Sequence, residues 1–68
     1  MSKFITFRDN TKRKYIINAD IIKAISHMDG NDYIKIFYND MEEPALYYFE
    51  SIRVAEYYFD SILTQLNE

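Results

Sequence analysis

The chain has 68 residues, one Gly, one Pro, no Cys and a formal net charge of −3. That length holds one domain, and the missing cysteines exclude a disulfide framework and a thiolate metal site. With 49% hydrophobic and 28% charged residues, composition excludes a disordered chain, and no apolar run approaches the roughly 20 residues of a membrane span.

A single core below about 70–80 residues needs very regular packing or a partner subunit when disulfides and metals are absent. MSKFITFRDN lacks the continuous apolar stretch of a signal peptide, so a cytoplasmic, reducing location is expected. Charge is unevenly divided. Residues 1–34 carry six Lys/Arg against four Asp/Glu, and residues 35–68 carry two against seven. The acidic second half is unsuited to wrapping phosphate, which requires basic groups.

In chain order, Phe4-Ile5-Thr6-Phe7 reads as a strand, Asp9-Asn10-Thr11 as a turn, and Lys14 to Asn18 as the returning strand of a hairpin. Residues 19–28 are ambiguous. Ile21, Ile22, Ile25 and Met28 have helical spacing behind an Asn18 or Asp20 cap, while Ile21, Lys23, Ile25 and His27 alternate as a strand would. Asp29-Gly30-Asn31-Asp32 is a turn, and Tyr33 to Tyr38 a strand with Ile34, Ile36 and Tyr38 on one face. After the acidic connection Asn39 to Glu43 and Pro44, Leu46-Tyr47-Tyr48-Phe49 has high strand propensity. Ser51 then caps a helix whose stripe is Ala55, Tyr58, Phe59, Ile62, Leu63 and Leu66.

The fold class expected is α+β: a small antiparallel sheet of four to five strands with one C-terminal amphipathic helix. An alternative is a long C-terminal helix from about residue 41. Ala45, Tyr48, Ile52, Ala55, Phe59, Ile62 and Leu66 keep three- and four-residue spacing, and Asp40 with Glu43 suits a capping box. The near-repeat of YYFESI (Tyr47–Ile52) as YYFDSI (Tyr57–Ile62) adds little support. Ten residues of helix rotate about 1000°, leaving the two copies about 80° apart.

The order of hairpin, Ile17-Asn18-Ala19-Asp20 with Ile22 and Ile25, turn, strand, Glu50-Ser51 and amphipathic helix resembles small FlbD/SwrD-type bacterial flagellar and swarming proteins, and related short bacterial or phage proteins. The resemblance implies a small antiparallel sheet with one C-terminal helix. Two departures are the Asn10-Thr11 turn, where Asn-Gly is the family pattern, and the longer connection from Asn39 to Pro44.

Chemistry is sparsely represented. His27 stands alone, the serines at 2, 26, 51 and 61 lack a nucleophile elbow, and one Gly cannot build a phosphate-cradling loop. Asp29, Asn31 and Asp32 fall short of a calcium loop, and Asp40, Glu42 and Glu43 read as a solvated acidic loop. No catalytic residue, metal, cofactor or small-molecule substrate is expected.

Seven Tyr and five Phe are more aromatic surface than one small core hides. With Ile5, Phe7, Ile34, Ile36 and Tyr48 facing the helix, Phe4, Tyr33, Phe37, Tyr47 and Phe49 face away and, with Tyr57, form a candidate interface. The chain then reads as a non-catalytic interaction or regulatory protein. It pairs with itself and with another protein, as an adaptor or an inhibitor acting by occupancy. A weaker alternative is a single-stranded nucleic-acid module built on Lys12, Arg13, Lys14 and the strand aromatics.

Overall fold

Period-two alternation of buried and exposed residues builds the first hairpin. In β1 (Phe4–Arg8) Ile5 and Phe7 are buried, and their neighbours are exposed. They pair with Ile17 and Tyr15 of β2 (Lys14–Asn18), so the inward faces of both strands coincide. The computed structural model describes residues 3–68. At the turn the Asp9 carboxylate accepts from the Thr11 hydroxyl at 2.6 Å, from the Thr11 and Arg13 amides at 2.9 and 3.2 Å, and from the Tyr15 hydroxyl at 3.0 Å. The Thr11 hydroxyl contributes most to holding that carboxyl below its ordinary value, against a smaller opposing effect of burial. Lys12 takes the left-handed backbone position at φ 71° that a glycine would fill more easily.

The ambiguous stretch after the hairpin divides in two. The Asn18 side chain accepts from the Asp20 amide at 2.9 Å and caps a 3₁₀ turn over Ala19–Ile21. The chain then extends as β3 (Ile22–Ser26). Gly30, at φ 91°, turns it into β4 (Tyr33–Tyr38), where Ile34, Ile36 and Tyr38 are buried. β5 (Ala45–Tyr48) follows Pro44. All pairings are antiparallel, in the orders β1-β2 and β3-β4-β5. Five strands are therefore present, within the four to five expected, in two small sheets where one was expected.

α1 (Ile52–Asn67) begins where Ser51 was expected to cap it. The Ser51 hydroxyl accepts from the Val54 amide at 3.2 Å. At the other end the Lys3 ammonium donates to the Leu66 carbonyl at 2.8 Å and to the Glu68 carbonyl, satisfying acceptors that a helix terminus leaves unpaired. The helix packs on β1 and β4 and buries Ala55 and Ile62, with Val54, Tyr58, Phe59 and Leu66 partly covered. Leu63, placed on the stripe by spacing, is exposed at its margin. The alternative of a helix from residue 41 is overturned, because Ala45–Tyr48 pairs with β4 instead.

One face assignment is corrected. Ala45 and Tyr47 pair with the buried Ile36 and Ile34, so Tyr47 points inward. The Phe49 amide donates to the Asp32 carbonyl at 2.8 Å and continues that register, leaving Phe49 2% exposed and Tyr48 45% exposed. Tyr47 and Phe49 thus belong to the interior, and Tyr48 belongs outside. The residues from Leu46 to Phe49 are apolar or aromatic at both parities, so only the register against β4 sets the face. Phe49→Ala is expected to cost about 3–5 kcal/mol, a large share of the stability of so small a domain, whereas Tyr48→Ala costs under about 1 kcal/mol. Urea unfolding of the two variants measures this. Equal losses would contradict the assigned parity.

Candidate interaction surface

The residues that chemistry would recruit are occupied locally. His27 Nε2 lies 2.9 Å from the Asn31 carbonyl, and its ring packs 5.7 Å from Phe59. Ser51 caps the helix. Asp29 to Asp32 make a turn closed by the Asn31 amide on the Met28 carbonyl at 3.1 Å. Among the described residues no three His, Cys, Asp or Glu side chains cluster as metal ligands. The Tyr38 and Tyr47 hydroxyls bond each other at 2.8 Å in the partly buried interior, and burial, aided by that bond, pushes the Tyr38 hydroxyl well above the usual phenol value.

Recognition surface is better represented than chemistry. The six aromatics expected at one interface lie in separate places. Tyr33 and Phe37 share the outer face of the three-stranded sheet, Phe4 lies on the outer face of the hairpin, and Tyr57 projects from α1 with 67% exposure. Tyr47 and Phe49 are inside. On the outer sheet face Tyr48 joins Tyr33 across the strands, ring centroids 5.3 Å apart, and Leu46 lies opposite Lys35. Ala24 sits opposite Phe37, so a small side chain borders the ring. This face was misplaced in part because the parity of β5 was reversed. Once parity is known, Leu46 and Tyr48 are the residues to add.

A second apolar feature is a groove of about 440 Å³ between the two sheets, bordered by Ile16, Ile21, Met41, Ala45 and Tyr47. Sequence patterning gave Ile16 no special place because Tyr15, Ile16 and Ile17 are apolar in succession. In the structure its neighbours point inward, and Ile16 is 65% exposed.

The basic tripeptide Lys12, Arg13 and Lys14 is exposed at the hairpin tip. Register adds Arg8, which lies directly opposite Lys14. Like charges so placed repel, and an anion between them relieves the repulsion. Both border a shallow cleft of about 210 Å³ that also includes Tyr57 and Tyr58.

Sheet edges differ in how they are protected. Thr6 has its N–H and C=O turned away from β2, and the Gln65 side chain serves both, accepting at 2.8 Å and donating at 3.0 Å. The amide of Gln65 thereby imitates a further strand along β1. β3 is interrupted by a register shift between Ile22 and Ala24. β5 is four residues long, follows Pro44, and gives its Tyr48 carbonyl to the Asn10 amide at 2.9 Å. β2 carries none of these devices. The Ala19–Lys3 and Asp9–Arg13 bonds fix the ladder parity, so Lys14, Ile16 and Asn18 turn their backbone groups outward. Among the described residues no partner takes the Ile16 N–H or C=O.

Comparison with family models, curated proteins and solved structures returns no match for the chain. The residues that carry the resemblance to FlbD/SwrD-type proteins do have local structural jobs. Asn18 caps the 3₁₀ turn, Ile22 and Ile25 pack against the core, and Ser51 caps α1. No helix among the described residues is long and apolar enough to cross a membrane.

Gln65→Leu keeps the helix but removes the amide that covers β1. Thr6 amide exchange is expected to accelerate at least about tenfold, with the Ile5 and Phe7 amides still slow. Hydrogen exchange followed by NMR checks this, and an unchanged Thr6 rate would show that Gln65 does not guard the edge.

Proposed function

We propose that the chain is a non-catalytic interaction protein that acts by occupying a surface on another protein, as an inhibitor or adaptor, and that it also associates with itself. The observation carrying this reading is the outer face of β3-β4-β5. Tyr33 and Tyr48 pack across the strands there, and Leu46 and Phe37 share that face with Lys35 between them, with α1 on the opposite side of the sheet. Tyrosine rings with a polar tip, set around the Lys35 side chain, are residue types that protein interfaces favour. Absence of cysteine suits a reducing, cytoplasmic setting. The resemblance noted in the sequence adds a bacterial setting and no residue-level role.

The test is affinity capture from the native cell with wild type beside Leu46→Glu/Tyr48→Ser, which alters exposed residues and leaves the core intact. A partner enriched by wild type and reduced at least about tenfold by the variant is the expected result. Recovery of the same proteins by both would remove this face from the account.

A second reading, single-stranded nucleic-acid binding, is favoured by one particular observation. Arg8 and Lys14 oppose each other beside the exposed Tyr57, a cation pair next to a stacking platform. On this reading a labelled oligonucleotide binds with an affinity that falls as salt rises, and Lys12→Ala/Arg13→Ala/Lys14→Ala flattens that salt slope. Binding that is undetectable at low salt by fluorescence anisotropy would dispose of it.

A further inference from the structure

We infer that the open edge of β2 is a self-pairing site, where β2 of a second copy adds antiparallel about a twofold axis through Ile16. This gives an address to the self-association half of the proposed function, and it uses backbone groups and not the outer sheet face.

The argument begins with hydrogen-bonding valence. Lys14 and Ile16 present N–H and C=O groups outward, and Asn18 its N–H, along a regular strand that has no bulge or proline, the Asn18 C=O being the first acceptor of the 3₁₀ turn. The other three edges are interrupted, shortened or capped, as described above. A free edge of this kind is a template for another strand. With the axis through Ile16, the two Ile16 residues form a hydrogen-bonded pair, each donating to the other. On either side Lys14 faces Asn18 of the other copy, whose N–H donates to the Lys14 C=O. No like charges face each other in that register, and the result is a continuous four-stranded sheet, β1-β2-β2-β1.

Charge specifies a second copy as the occupant. Antiparallel pairing carries the basic tip, Lys12 to Lys14, of one molecule to the far end of the β2 strand of the other. Asp20 lies there, and Asp40 lines the adjoining groove. The two segments are tied together by the Asn39 amide on the Ile21 carbonyl at 2.9 Å and by its side chain on the Asp20 carbonyl at 3.2 Å. The twofold axis repeats the basic-to-acidic match, so the charge asymmetry of the chain is self-complementary. The exposed Ile16, Ile21 and Met41 around the edge supply the apolar surface that such pairing covers.

The test combines light scattering over a micromolar-to-millimolar series with NMR hydrogen exchange on the same samples. The expected result is a concentration-dependent dimer in which Ile16 amide protection rises with the dimer fraction. Ile16→Lys places two ammonium groups face to face and should weaken the dimer at least about tenfold, with an unchanged amide fingerprint to show that the exposed site tolerates it. Lys12→Glu/Lys14→Glu, away from the centre of the edge, should weaken the dimer at low salt and recover it as salt is raised. A monomer at every concentration, or a dimer whose Ile16 amide exchanges as fast as in the monomer, overturns the inference. So does a dimer that Ile16→Lys leaves intact and Leu46→Glu/Tyr48→Ser abolishes. That last outcome would move self-association to the outer sheet face, and the proposed function would stand.

Discussion

The two sheets share no strand, and a cluster of aromatic rings joins them. Phe7 and Tyr15 from the hairpin stack 5.1 Å apart, and Tyr47 from the other sheet meets both edge-on at 5.0 and 4.9 Å. Phe49 lies 6.2 Å from Phe7 and stacks on Tyr58 of α1 at 5.3 Å, which brings the helix into the same cluster. Edge-to-face and offset contacts of this kind add to the stabilisation that burial supplies. Tyr15 of β2 and Tyr47 of β5 meet through their rings, and no backbone ladder joins those two strands. The groove and the unpaired edge of β2 are the geometrical remainder of that aromatic junction.

Coverage is the second constraint. A helix of 16 residues is about 24 Å long. It spans the inner side of both sheets, yet it covers one face of β3-β4-β5 and only the β1 side of the hairpin. Ala55, fully buried and without a side chain beyond Cβ, permits close approach at the start of the helix, and Ile62 fills the space two turns later. The polar residues at its far end stitch it to β1, through Gln65 on Thr6 and through the Lys3 ammonium on the last carbonyls. So small a chain is left with one sheet face and one strand edge for which it has no element.

Legibility in the sequence follows the same physics. β1, β2 and β4 are readable because β-branched and aromatic residues run between turn signals there, and the Ser51 cap because it precedes a helical stripe. Asn18 was recognised as a possible cap, but the 3₁₀ turn that separates it from β3 depends on bonds from Asn39, twenty-one residues away in sequence. Parity in β5 was unreadable because Leu46, Tyr47, Tyr48 and Phe49 offer no polar contrast. Division into two sheets was unreadable for a related reason, since nothing in the letters says that Tyr15 and Tyr47 meet as rings and not as strand neighbours. The near-repeat shows how far identical letters can part. Phe49 in YYFESI is interior beside a strand, while Phe59 in YYFDSI is only partly covered on a helix.

The aromatic surplus that pointed to an interface is smaller than composition suggested, and better placed. Phe7, Tyr15, Tyr47, Phe49 and Tyr58 are absorbed by the junction between elements, so their number says more about how two sheets are held than about a partner. What remains outside falls into surfaces with different recognition physics. As a docking face Tyr33, Phe37, Leu46 and Tyr48 would select by side-chain shape, with Leu46 and Tyr48 on the edge strand β5, whose Tyr48 carbonyl is taken by the Asn10 amide. Along β2 the proposed pairing would rest on the backbone and tolerate many side chains, so selectivity there would come from the charges at the strand's two ends. A chain with one face of each kind can hold its own copy at the edge while the sheet face stays free, since the pairing strand and the aromatic face belong to different sheets.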